Sequence, residues 1–147
     1  MYKLLVTLHL IGASIWIGGH VVLSAVILPR ALRNRDPSIV RDFEAGYERI
    51  GLPALLLQVL TGLSLAYYWL PQVGAWFALD STLSRLIATK LALLALTVAL
   101  ALHARLRVIP RLGADNLTVL AYHVFAVTLL SLAFLVAGVG IRTGGLF

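Results

Sequence analysis

What most constrains this chain is where its charges are missing. Residues 4–29, 50–79 and 116–141 contain no Asp, Glu, Lys or Arg, and 86–104 contain only Lys90. An apolar run of about 18 or more residues can cross the hydrocarbon core as a helix, which satisfies its own backbone polar groups. Four such runs fill most of the 147 residues and leave no room for a soluble domain. Charged residues make up 12% of the chain, against about 25% in soluble domains. The expectation is an all-α integral membrane protein with a single transmembrane domain over residues 1–147. Short loops make neighbouring helices antiparallel, so the four spans should form an up-down-up-down bundle.

The first span is expected over 3–28, stopping at Pro29 because proline disfavours helix in the residue before it. It is too long for a signal peptide, whose apolar region is only about 7–15 residues. Asp36-Pro37 reads as an N-cap followed by proline at the first helical position. Ile39, Val40, Phe43, Tyr47 and Ile50 then recur at helical spacing among charged residues. That pattern predicts a short cytoplasmic amphipathic helix over 37–50, lying on the membrane surface or leading into the second span. The remaining spans are expected over 51–70, with Pro53 in the first turn, then 84–105 and 116–141. Tyr67, Tyr68, Trp69, Trp76 and Phe77 border the outer 72–84 loop and read as interfacial anchors.

The net charge of +6 is a matter of topology. Eight of the twelve basic residues fall between spans on one side: Arg30, Arg33, Arg35, Arg41 and Arg49, then Arg105, Arg107 and Arg111. Excess Lys and Arg mark the cytoplasmic side. In a bacterial inner membrane both termini and the 72–84 loop would then be periplasmic. No folded basic surface is left to grip phosphates, so nucleic acid is excluded as a partner. The expected partner is the lipid bilayer, with a quinone, a porphyrin or a redox protein, and a second copy in a homodimer.

The chain has no cysteine, and its one methionine is Met1. Thiolate chemistry is therefore absent, and so are the soft ligands that select Cu(I). All six acids, from Asp36 to Asp115, fall outside the expected spans, which argues against a hydrolase or a carboxylate-driven proton pump. The polar residues that do fall within spans or at their ends are the candidates: His9, His20, His103, His123 and Lys90. At about 100° per residue, His9 and His20 differ by only about 20° around their helix, with Gly12, Ala13 and Trp16 on the same stripe. At about 1.5 Å per residue His20 lies roughly 16 Å deeper than His9. His123 comes early in a helix running the other way and should match His20 in depth. His103 should sit slightly closer to the cytoplasm, and Lys90 should lie level with His9.

Two imidazoles on different helices at one depth make a bis-histidine clamp for haem iron. The favoured pair is His20 with His123, Gly12, Gly18, Gly19 and Gly62 leaving room for a macrocycle or simply packing helices. Zinc or copper on His20, His103 and His123 is the alternative, without the carboxylates that usually orient such ligands. His9 with Lys90 would form an outer substrate, quinone or second-haem site. Gln58 and Thr61 would hydrogen-bond a ligand or join helices. Arg142, in the Gly140–Gly145 tail, would anchor the outer end or bind an anionic propionate. The bland readings are a packing role for each histidine, an interfacial place for His103, and snorkelling for Lys90.

Leu8-His9-Leu10-Ile11-Gly12, Trp16-Ile17-Gly18-Gly19 and Ala88-Thr89-Lys90-Leu91-Ala92-Leu93 resemble the CopD/HemJ group of membrane proteins. CopD-like domains are linked to copper uptake and resistance. HemJ-type proteins are four-helix membrane proteins that bind haem b and oxidise protoporphyrinogen IX. The resemblance implies a functional His/Lys pair on His9 and Lys90. The sequence-based expectation is thus a b-type haem membrane protein with redox or electron-transfer activity, an oxidoreductase if an enzyme. The alternative is a membrane protein that handles copper through histidine.

Overall fold

A computed structural model describes residues Met1–Gly144; of the glycine-rich tail, Gly145 lies outside them. It contains four long helices: α1 (Tyr2–Asn34), α2 (Ser38–Trp69), α3 (Thr82–Arg111) and α4 (Ala114–Thr143). Each is long and apolar enough to cross a membrane, and no strand occurs among the described residues. The protein is an all-α, multi-pass membrane bundle in contact with lipid, as expected. At about 1.5 Å per residue these helices reach roughly 45–50 Å, beyond the ~30 Å hydrocarbon core. The surplus carries the arginines. Arg30, Arg33, Arg107 and Arg111, expected between helices, lie within them, as do Arg41, Arg49 and Arg105.

Two proline-based boundaries need correction. Of the two readings for the amphipathic helix, it leads into the second span: the two are one continuous helix, Ser38–Trp69, with Pro53 inside it and not at a boundary. Proline withholds one N–H, and membrane helices tolerate this where neighbours re-satisfy the freed carbonyl. Nor does α1 stop at Pro29. A π-helical stretch, Leu23–Ile27, precedes the α-helical Leu28–Asn34 that contains the proline. A π-turn is wider than an α-turn, which makes room for the ring that would press on the carbonyl four residues back. The device recurs in α3, where the π-helical Ala104–Val108 leads into the 3₁₀ turn Ile109–Arg111 with Pro110. At the start of α2, Asp36 Oδ1 accepts the Ser38 N–H at 2.9 Å, but the N-cap is Pro37, one residue later than expected.

α1 packs chiefly on α2 and α3 on α4, while α1 and α4 join the two pairs. The first contact is close because Gly12 is buried: a Cβ there would meet the Ala54 carbonyl oxygen at 2.9 Å. The densest core lies at the arginine-rich end. There Leu23, Leu28, Ala31, Val40, Val108, Leu117, Leu120 and Val124 are all buried together. The Arg41 guanidinium donates to the Leu112 carbonyl at the α3–α4 turn, so this arginine also fastens the fold.

The opposite end is closed by the α2–α3 connection. Ser81 caps α3 by accepting the Ser84 N–H, and the fully buried Ser84 hydroxyl joins Ala75 and Leu79. Trp76 departs from its expected role as an anchor. It is buried, and its indole N–H donates to the Leu70 carbonyl at 2.8 Å. Tyr67, Tyr68, Trp69 and Phe77 remain exposed, as anchors should be.

Candidate functional site

Two of the cavities among the described residues contain candidate histidines, and Trp16 is the one residue that lines both. The larger, about 380 Å³, is bordered by all four helices and contains both His9 and Lys90. His9 Nδ1 lies 3.1 Å from the Gln58 carbonyl oxygen and 3.0 Å from Thr61 Oγ1. The Thr61 hydroxyl donates to the Leu57 carbonyl at 2.6 Å, so towards His9 it accepts. Nδ1 therefore carries the proton and Nε2 keeps its lone pair. Gly62 backs this ring, since a Cβ there would stand 3.1 Å from His9 Cε1.

Lys90 reaches across to Gly138 of α4, where a Cβ would lie 3.4 Å from its Nζ. Among the described residues no acceptor stands within hydrogen-bond reach of this ammonium. The Gln58 side chain also borders the cavity, and its Oε1 is buried without a partner. Arg142, at the mouth, donates to the Tyr2 hydroxyl at 3.0 Å. Tyr2 in turn stacks on Tyr68 with ring centroids 5.0 Å apart.

The smaller cavity, about 190 Å³, lies towards the arginine-rich end, beside both π-helical stretches. His20 and His123 both line it, so the depth reckoning does bring them to one place. They do not form the expected clamp. His123 Nδ1 donates to the Val119 carbonyl at 2.9 Å, and its Nε2 lies 2.8 Å from His103 Nδ1. The His103 and His123 rings stack with centroids 4.9 Å apart. Both His123 nitrogens are thus engaged, and the volume falls below the ~300–1,000 Å³ usual for small-molecule sites. The residues as arranged do not fit a haem between His20 and His123.

The expected three-histidine metal site is not assembled either. Among the described residues no three His, Asp or Glu side chains converge to hold an ion. Among the described residues His20 keeps one ring nitrogen without a hydrogen-bond partner. Its Nδ1 lies 3.0 Å from the Trp16 carbonyl, leaving Nε2 available, and its ring packs on Trp16 at 4.4 Å. Backbone carbonyls therefore orient His9, His20 and His123, the role that second partners of metal-binding histidines usually play.

Glu44 and Glu48 also line the smaller cavity. In the sequence they belong to the charged residues interspersed in the amphipathic 37–50 pattern. The helical signal was present all the same, since Glu44, Tyr47 or Glu48, and Gly51 follow at three- and four-residue steps on one face. Glu48 pairs with Arg105 at 2.6 Å. Tyr47 donates to the Ile15 carbonyl at 2.9 Å and fills the hollow over Gly19, where a Cβ would stand 2.1 Å from its ring. Gly12, Gly19 and Gly62 are thus occupied by a helix, a tyrosine and a histidine, while Gly18 faces open space.

The two cavities differ in charge. Lys90 and Arg142 border the larger one without any acid, whereas Glu44 and Glu48 balance Arg105 around the smaller one. The family model for copper resistance protein D matches residues 41–141. That stretch includes Glu44, Glu48, Lys90, His103 and His123, while His9, Trp16 and His20 precede it. Comparison with curated proteins and with solved structures gives no match. The matched stretch covers well over half of a four-helix membrane chain, so this protein belongs to the CopD, or copper resistance protein D, family.

Proposed function

We propose that this protein handles copper in the membrane, taking the ion at the smaller cavity through His20 and through His123 once its Nε2 exchanges His103 for the ion. The observation that carries this reading is the placement of Glu44 and Glu48 beside His20 and His123, in a chain of the copper resistance protein D family. Imidazole nitrogen suits copper well, and carboxylate oxygen adds the negative charge that a cation needs on leaving water. The larger cavity is the poorer place for a cation, because the Lys90 ammonium shares it with His9. Ligands that do not converge before the ion arrives suit cargo, which must leave as well as enter. Under the positive-inside rule this end faces the cytoplasm, and the larger cavity lies in the outer half.

The test is copper bound by purified, detergent-solubilised protein after desalting, read by elemental analysis and by nitrogen hyperfine structure in the Cu(II) spectrum. His20→Ala and Glu44→Gln should each weaken binding by about tenfold, the scale of one lost charge-assisted contact. His9→Ala should bind as the unaltered protein does. Copper binding indifferent to His20→Ala and His123→Ala would overturn the assignment. A haem absorption band that disappears in His20→Ala would put haem in copper's place.

A further inference from the structure

We infer that the larger cavity is a binding site for a carboxylate-bearing amphiphile, with Lys90 holding the carboxylate. The charge of its lining is one-sided: Lys90 and Arg142, with no Asp or Glu among the bordering residues. An ammonium away from water is costly unless it is paired. Lys90 has no hydrogen-bond acceptor among the described residues, and Gly138 keeps the space around its Nζ clear. A carboxylate supplies the missing charge and the missing acceptors together.

Two further features point to the same chemistry. Gln58 borders this cavity with a buried, unpartnered Oε1. Its amide also carries an NH₂ group, a second hydrogen-bond donor for a carboxylate. Apart from Thr97 and Ser131, most of the remaining wall is apolar, including Leu10, Leu55, Ile87, Leu91 and Phe134. At about 380 Å³ the space falls within the usual range for small-molecule sites. Arg142 at the mouth, held by Tyr2, is a cation on the way in. His9, whose Nδ1 carries the proton, turns its Nε2 lone pair to any ligand hydroxyl. This site is separate from the one proposed for copper and does not depend on it.

The experiment uses the full chain in phosphatidylcholine nanodiscs and a matched set of C16 probes: palmitate, hexadecanol and hexadecylamine. Displacement of a fluorescent fatty acid gives their relative affinities. Palmitate should bind at least about tenfold more tightly than hexadecanol, the scale expected of one charge-assisted hydrogen bond, and hexadecylamine most weakly. Lys90→Met should abolish the preference for palmitate over the alcohol, and Lys90→Arg should keep it. Equal binding of palmitate and hexadecanol to the unaltered protein would overturn the inference. So would a preference that survives in Lys90→Met. If Lys90→Met does not fold, Gln58→Leu takes its place, and a preference unchanged in it would count against the site. Copper binding measured on Lys90→Met should equal that of the unaltered protein, which keeps the two sites distinguishable.

Discussion

Gly18 and Gly19 stand side by side on α1 and should answer alanine in opposite ways. A Cβ on Gly18 meets nothing within 4 Å, whereas one on Gly19 would fall 2.1 Å from the Tyr47 ring. Gly18→Ala gains helix propensity and should be neutral or stabilising by up to about 1 kcal/mol. Gly19→Ala must expel the tyrosine and its bond to Ile15, at a cost of about 1–3 kcal/mol. Tyr47→Phe loses only the hydroxyl bond, worth about 1 kcal/mol. Thermal unfolding in detergent should therefore rank Gly18→Ala above Tyr47→Phe and Tyr47→Phe above Gly19→Ala. Equal behaviour of the two glycines would contradict the packing. The polar candidates were legible at this scale because a histidine or lysine stands out against an apolar background. Their partners were not. That His123 meets His103 depends on how α3 and α4 are rotated about their axes. On α4, apolar nearly all round, no stripe in the sequence marks the inward face.

Among the elements, α2 shows how local signals can be right while the boundary drawn from them is wrong. Asp36 does bond the Ser38 N–H where the helix begins, yet Pro53 does not begin a new one. The hydrogen bonds from Ser38 hold the Asp36 carboxyl below its ordinary range, with Arg41 adding a smaller pull in the same direction. A carboxylate whose pKa is depressed on folding contributes stability that is complete above its unfolded value of about 3.9. That contribution is lost as pH falls through the folded value. Hydrogen exchange at the first turn of α2 should accordingly speed up on acidification below about pH 4, relative to mid-helix amides. Asp36→Asn should remove this pH dependence while keeping the bond from Ser38, and Asp36→Ala should leave the turn frayed at every pH. Protection that falls with pH equally in Asp36→Asn would assign the effect to another group. The two π-helical stretches were hidden for a different reason. Periodicity reasoning assumes about 100° per residue throughout, and it reads a proline as an end when the chain has widened a turn to accommodate it.

At the scale of the molecule, the membrane architecture was the most legible feature, because burying backbone in lipid leaves a chain few alternatives. The division of the interior into an acid-lined and a cation-lined cavity was not. Glu44 and Glu48 reach the bundle because α2 continues past the presumed interface, and no charge count shows that. The same division gives the orientation of the chain a functional consequence, since it decides which side each cavity serves. Eight arginines gather at the end occupied by His20, Glu44 and His123, against Lys3, Arg85 and Arg142 at the other. Orientation follows this bias in Lys and Arg, with acids contributing little. Because the chain has no cysteine, a single introduced thiol reports one position without background. Asn34 ends α1 beside the arginines and is exposed, and Val73, in the α2–α3 connection, is half exposed. Neither substitution alters the charge bias. In intact spheroplasts a membrane-impermeant maleimide should label Val73→Cys at once and Asn34→Cys only after permeabilisation. The reverse pattern would put the acid-lined cavity on the outer side, so that copper would meet its carboxylates on entry from outside and the carboxylate site would face the cytoplasm.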